Sequence, residues 1–380
     1  MLTVIVAPDK FAGSLSAAEV AAAVVAGWRS VRPGDRLLTV PMSDGGPGFV
    51  AALSSSVGGA VHETTVTGPM GRPVVARSLV VGDTWYLESA QAAGLALVPP
   101  GDRDPLRATT RGVGELLRSA LDNGARRVVV GLGGSATNDG GAGLLAALGA
   151  VARDDRGDLV ALDEGPQGLH RIHTLDLTEP LERVSTAEIV VASDVDNPLL
   201  GPEGATGMFA PQKGAGVDDL GRLEAALAHW ANCCAAAGIT PQDAAAPGAG
   251  AAGGLGYGLL VLGGRFEPGI DLVVAATGLA EKCRGAGLVI TGEGSLDEQS
   301  LHGKVVAGVV RAAGVTPVAA LVGRCRLTVD QITAAGLSQV LSVLDRAAGI
   351  DDAMTRAADH VADLARELAA EVTAAEVSRG

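Results

Sequence analysis

Residues 131–143 read Gly-Leu-Gly-Gly-Ser-Ala-Thr-Asn-Asp-Gly-Gly-Ala-Gly, and no other segment limits the fold as strongly. The apolar, β-branched run Arg127-Val-Val-Val130 stands directly before it, and the helix-like Leu144-Leu-Ala-Ala-Leu148 directly after. Strand, glycine turn, polar triplet and helix is the layout of an α/β loop whose backbone N–H groups point at an anion near a helix N-terminus. The glycines let the backbone approach a phosphate. Ser135, Thr137 and Asn138 offer neutral hydrogen bonds, and Asp139 is suited to a cation. The segment is neither G-x-x-x-x-G-K-[ST] nor a clean G-x-G-x-x-G, so the two commonest nucleotide fingerprints do not match. On its own, the loop also fits a glycine-rich turn with no ligand.

The rest of the chain repeats the strand–helix grammar. Residues 2–7 predict a strand, and Ser16-Ala-Ala-Glu19 is a capping box opening a helix to about residue 30. A second strand follows at 37–41, with a helix starting at Ser43-Asp44-Gly45-Gly46. Strands are expected again at 288–291, 317–322 and 339–343, with helices near 304–313 and 328–335 and a closing helix over 351–376. Such alternation predicts a parallel, Rossmann- or flavodoxin-like three-layer domain with helices on both faces. The middle differs: 60–67, 74–80 and 84–88 are short segments joined by Gly-Pro turns and read as antiparallel. Helices near 112–122, 140–149 and 217–237 and strands at 127–131 and 187–192 follow. The expected organisation is two α/β domains. Residues 1–65 plus 288–380 form the discontinuous parallel domain, and 66–287 form an inserted mixed α/β domain.

A chain of 380 residues has room for about two domains. Its 47% hydrophobic content excludes disorder, and 2% aromatics predicts aliphatic cores. The formal charge of −14 argues against nucleic acid and anionic membrane surfaces as partners. Among 29 basic residues only Lys10, Lys213, Lys282 and Lys304 are lysine, and three of these four sit in glycine-rich motifs, where an ammonium suits a phosphate. The four cysteines show no C-x-x-C or Cys/His ligand spacing, which fits idle thiols in a reducing, cytoplasmic setting. The N-terminus lacks a basic n-region and reads as a first strand. Residues 244–264 carry no charge, but Pro247 and eight glycines predict a loop feeding a buried helix and not a membrane span. None of the six histidines, His62 and His302 included, has a Ser or Cys partner in an obvious motif.

Further motifs share one chemical style of glycines, carboxylates and lysines. They are Ala7-Pro-Asp-Lys-Phe-Ala-Gly-Ser-Leu-Ser16, Pro41-Met-Ser-Asp-Gly-Gly46 and Ser193-Asp-Val-Asp-Asn-Pro-Leu199. Phe209-Ala-Pro-Gln-Lys-Gly-Ala215, Pro247-Gly-Ala-Gly-Ala-Ala-Gly-Gly254 and Ile290-Thr-Gly-Glu-Gly-Ser-Leu-Asp297 come next, with Gly303-Lys304 beyond. With residues 131–143, this set in this order resembles the bacterial glycerate kinase family along essentially the whole chain. It departs from that family's pattern at Ala12, where lysine is common, and at Pro47, where glutamate is common.

The resemblance implies ATP- and Mg²⁺-dependent phosphorylation of D-glycerate to 2- or 3-phosphoglycerate, on two α/β domains with the site between them. Phosphoryl transfer needs in-line positioning, charge neutralisation and one or two carboxylates. In that reading Asp194, Lys10 and Asp297 are catalytic. Gly133, Gly134, Ser135, Thr137, Asn138, Lys213, Gly253 and Gly254 hold nucleotide phosphates, Ser14, Asp44, Glu293 and Lys304 bind substrate, and Asp194 and Glu293 hold the metal. Asp194 and Glu293 both follow predicted strands, where open α/β sheets place ligands, although Asp194, Asp44 and Asp297 equally suit turn or helix caps. Competing readings are a kinase of another small hydroxy acid and a non-catalytic nucleotide or sugar-acid sensor. A dehydrogenase would need an acidic residue ending a strand about 20 positions on, whereas Asp154 and Asp155 sit in a charged turn. A homodimer is compatible with the sequence.

Overall fold

The computed structural model describes residues 1–301 and 303–377; His302 lies outside them. The chain divides into two compact units. The first comprises Met1–Asp44, Ala51–Gly58 and the chain from Ile270 onward; the second comprises Gly45–Val50 and Gly59–Gly269.

In the first unit five parallel strands are ordered Gln339–Ser342, Val318–Val322, Leu288–Gly292, Thr3–Pro8 and Arg36–Thr39. In the unit's own count this is order 2-1-3-4-5 read from the other edge, the doubly wound flavodoxin-like arrangement. The strands read as nearly continuous apolar runs because helices cover both faces. Val4, Val6, Ile290 and Leu321 pack with Val20, Val24 and Trp28 of helix Ala17–Arg29, and with Val361, Leu364 and Leu368 of helix Ala357–Val377. The capping box is present: Ser16 Oγ accepts from Glu19 N, and the Glu19 carboxylate accepts from Ser16 N at 2.8 Å. Gly27 lies where those helices cross, since a Cβ there would stand 2.0 Å from Ala362 O. The closing helix is broken. Ile350–Thr355 and Ala357–Val377 are separate, with Arg356 at φ −114° and ψ 28°.

The second unit holds a mixed six-stranded sheet ordered Arg265–Glu267, Glu188–Ala192, Arg127–Gly131, Thr84–Glu88, Pro73–Val81 and Ala60–Thr67. The last three strands are antiparallel neighbours, as the turn signals require, and the others run parallel. A small antiparallel sheet of Val151–Arg153, Leu159–Val160 and Thr174–Asp176 has no counterpart in the sequence reading. Helix Ala251–Val261 is almost wholly buried, which accounts for the uncharged stretch around it. No helix of the described residues is long and apolar enough to cross a membrane. The helix expected to begin at Ser43 begins instead at Phe49. The Glu88 carboxylate accepts from Gly48 N (3.0 Å) and Val50 N (3.2 Å), so the helix is capped from a neighbouring strand.

One side chain anchors the first unit's N-terminal corner. Asp35 accepts from Leu2 N (2.8 Å) and from Trp28 Nε1 (3.1 Å), and its carboxylate pairs with Arg32 at 2.5 Å. Asp35→Ala would leave the fully buried indole N–H unmatched and the Arg32 guanidinium held by Glu376 and Thr373 alone. We expect a loss of about 3 kcal/mol in urea unfolding; a loss below about 1 kcal/mol would show the network to be dispensable.

Candidate active site

The first unit's sheet order dictates where a ligand cavity forms. Reversal of strand order between Thr3–Pro8 and Leu288–Gly292 opens a crevice beyond the strand carboxyl ends. Asp9 and Glu293 sit just past those two strands, with Asp44 beyond the neighbouring one. They line a cavity of about 460 Å³ together with Lys10, Ser14, Lys304 and Arg324. Gly292 lets the loop turn in closely, because a Cβ there would lie 2.0 Å from Leu321 O.

The cavity combines buried carboxylates with cations. Lys10 Nζ stands 3.8 Å from Asp9 Oδ1 and 3.9 Å from Asp44 Oδ1. Lys304 Nζ is 3.4 Å from Gln299 Oε1, and Ser14 Oγ donates to Phe11 O at 3.2 Å. Burial pushes Glu293 up to about 7, with the Asp9 and Asp297 charges adding to the effect. Glu293 Oε1 is buried and has no hydrogen-bond partner. Burial likewise raises Asp9 to about 6, against the opposing charge of Lys10. Asp9 and Arg324 were not singled out from the sequence. For Asp9 the signal was available: a carboxylate beside a lysine at the end of the first strand.

Asp297 is outside the cavity lining. Its Oδ1 accepts from Gln299 N at 3.1 Å, capping the short turn Glu298–Leu301. Asp194 lies half-buried in the second unit, where Oδ1 accepts from Gly269 N at 3.1 Å.

The remaining candidates gather on the second unit's glycine loop. Lys213 is 2% exposed, and its Nζ donates to Ser135 Oγ (2.9 Å) and Thr137 O (2.7 Å). Burial lowers it to about 7, while the Asp139 charge acts the other way. Asn138 is fully buried; Nδ2 donates to Thr206 Oγ1 at 3.1 Å and Oδ1 has no partner. Gly253 crosses this loop so closely that a Cβ would meet Thr137 O at 1.9 Å. Gly254 packs beside Gly140, and Gly133 and Gly134 lie against Pro47 and Gly46.

Two expectations for this loop are overturned. The helix is only Ala142–Ala147, and its leading N–H groups are already satisfied. Asp139 accepts from Thr110 N and Oγ1 (both 2.8 Å), Gly141 N (3.2 Å) and Gly143 N (3.3 Å), and Thr110 Oγ1 accepts from Leu144 N. An anion therefore has no free helix terminus to meet, and Asp139, 0% exposed, is spent on backbone donors and not on a cation. A histidine does meet a cysteine, which the sequence did not suggest. His229 Nε2 lies 3.4 Å from Cys233 Sγ, but 2.8 Å from Ile172 O, which marks the ring as a structural tie. His62 packs edge-on to Trp85.

Asp139→Asn keeps the shape but turns an N–H₂ toward backbone donors, and we expect a loss of about 2 kcal/mol in urea unfolding. The raised pKa of Glu293 also has a signed consequence. The folded state holds a proton that the unfolded state releases, so the stability contributed is complete below about 4.5 and is lost as pH rises through about 7. Glu293→Gln should flatten the fall of unfolding free energy between those pH values. Identical slopes in variant and parent would refute the assignment.

Comparison with known proteins identifies the family. The glycerate kinase family model matches residues 4–373. The chain is 42% identical to the glycerate kinase of Bacillus subtilis strain 168, covering 99% of each chain, and 40% identical to the glycerate 2-kinase of Escherichia coli K12, covering 97% of each. Among solved structures, a Salmonella typhimurium LT2 chain described as a glycerate kinase 2 superposes with a TM-score of 0.84 at 40% identity, over 99% of both chains. By sequence along nearly its full length and by fold, the chain belongs to the glycerate kinase family.

Proposed function

We propose that this enzyme transfers the γ-phosphoryl group of ATP to D-glycerate, forming 2-phosphoglycerate, with Mg²⁺ accompanying the nucleotide. The observation that carries the reading is the strand-end cavity of the first unit. Lys10, Lys304 and Arg324 suit a small carboxylate there, while Asp9, Asp44 and Glu293 suit its hydroxyl groups. Choice of the 2-product rests on the Escherichia coli relative, a glycerate 2-kinase. The charge of −14 and the small anionic substrate fit a cytoplasmic enzyme without nucleic-acid partners.

Ser14, Asp44, Glu293 and Lys304 hold and orient the substrate in this proposal, and Lys10 neutralises the group being transferred. Ser135, Thr137, Asn138 and Lys213, with the close-packed Gly133, Gly134, Gly253 and Gly254, bind the nucleotide phosphates. A phosphate beside Lys213 would favour its charged form, reversing the effect of burial. Asp297 fixes the turn that leads to Lys304. Among the described residues no group of three or more His, Cys, Asp or Glu side chains is arranged to hold a metal ion. Mg²⁺ commonly takes only one or two carboxylates plus phosphate oxygens. The unpartnered Oε1 of Glu293 suits a hard cation in the first unit, and Asp194 is the candidate metal carboxylate of the second. When bound, the ion would offset phosphate charge.

ADP release should require Mg²⁺ and D-glycerate, with kcat/KM for glycerol lower by at least about 10²-fold, because a cation built to face a carboxylate is left unmatched. NMR of the product should show 2-phosphoglycerate. Equal turnover of glycerol would sink the substrate assignment, and a 3-phospho product would sink the regiochemistry. Asp194→Asn retains an oxygen for Gly269 N–H but loses the charge. We expect kcat to fall on the order of 10²-fold with Tm nearly unchanged. A destabilised yet active variant would make Asp194 a structural cap.

A further inference from the structure

We infer that a second cavity, of about 680 Å³ and lying wholly within the second unit, receives the nucleoside end of the phosphoryl donor. The inference rests on the proposed ATP-dependent reaction and assigns that donor a place. The volume is within the range of small-molecule sites, about 300–1,000 Å³. The cavity is lined by parts of residues 68–74 and 97–107 and by Gly214 and Asp219.

Two independent links join this cavity to the proposed phosphate cluster. On one wall, Leu95 N donates to Gly134 O at 2.7 Å and Gly94 bridges Ser135, so the lining that begins at Leu97 continues directly from the glycine loop. On the other wall, Gly214 follows Lys213 and packs on the Arg103 main chain, where a Cβ would stand 2.9 Å from Arg103 O. Lys213 closes the circuit through its bonds to Ser135 and Thr137. A ligand whose phosphates meet Lys213 thus has an adjoining chamber for its other end.

The chamber's chemistry matches a nucleoside better than a short hydroxy acid. Met70, Leu97 and Val98 give it apolar surface, and Leu97 is left 41% exposed. That surface can sandwich a flat base, whereas glycerate has no apolar face to offer it. Arg72, Arg103 and Arg107 add guanidinium donors for base oxygens, and Asp102, Asp104 and Asp219 add acceptors for base amino and ribose hydroxyl groups. Arg103 Nε is buried without a hydrogen-bond partner, a donor that a bound acceptor would satisfy.

The test uses the full chain, with ADP and inorganic tripolyphosphate titrated calorimetrically into the parent, Leu97→Gln and Arg103→Gln. Leu97 is exposed and its replacement is neutral, so Tm should hold. We expect Leu97→Gln to weaken ADP about 10-fold, leave tripolyphosphate within about 2-fold, and raise KM for ATP but not for D-glycerate. Arg103→Gln should weaken ADP at unchanged Tm. ADP affinity equal to the parent's in both folded variants would overturn the site while leaving the kinase reading intact. Leu97-dependent ADP binding without glycerate turnover would keep the site and discard the substrate assignment. A parent chain that binds no ADP would overturn both.

Discussion

A carboxylate shut away from water must be surrounded by donors, and Asp139 imposes that condition on the second unit. Its two oxygens take the N–H groups of Thr110, Gly141 and Gly143 and the Thr110 hydroxyl, joining residues far apart in sequence. With those contacts made, the loop of Ser135, Thr137 and Asn138 has little freedom left. The buried Lys213 ammonium then has fixed oxygens to meet, and Gly253 can cross the same loop at a distance that only hydrogen permits.

The first unit obeys a different constraint, set by topology. Parallel strands end on one edge, and the reversal of order beside Thr3–Pro8 gathers the segments beyond Leu288–Gly292 and Arg36–Thr39 around a single crevice. Ser14, Asp44, Glu293 and Lys304 were legible in the sequence for this reason: each stands in a glycine-containing motif near the end of a strand or turn. The strands were legible as well, because residues buried on both faces leave unbroken apolar runs.

Features that escaped the sequence depended on partners distant along the chain. Nothing near Asp139 says that Thr110 will consume its charge, so a capping residue resembles a cation ligand. The start of helix Phe49–Val57 is set by Glu88, about forty positions away, and not by Ser43 or Asp44. The break at Arg356 has no glycine or proline to announce it. The small sheet of Val151–Arg153 and its neighbours is two or three residues per strand, too short for alternation to register. Asp9 was missed for a simpler reason: its neighbour Lys10 drew the functional assignment.

The intertwining of chain ends in the first unit bears on biosynthesis. Val4, Val20 and Trp28 belong to one core with Leu288, Ile290, Val361, Leu364 and Leu368, so the whole stretch between residues 28 and 288 separates the two halves of that core. All of the second unit, by contrast, lies within residues 45–269. On a ribosome, where domains fold as they emerge, the second unit can complete its core while the first still waits for its last helix. Strands Thr3–Pro8 and Arg36–Thr39, made before the second unit, are therefore buried only when residues beyond that unit have emerged, and they need protection until then.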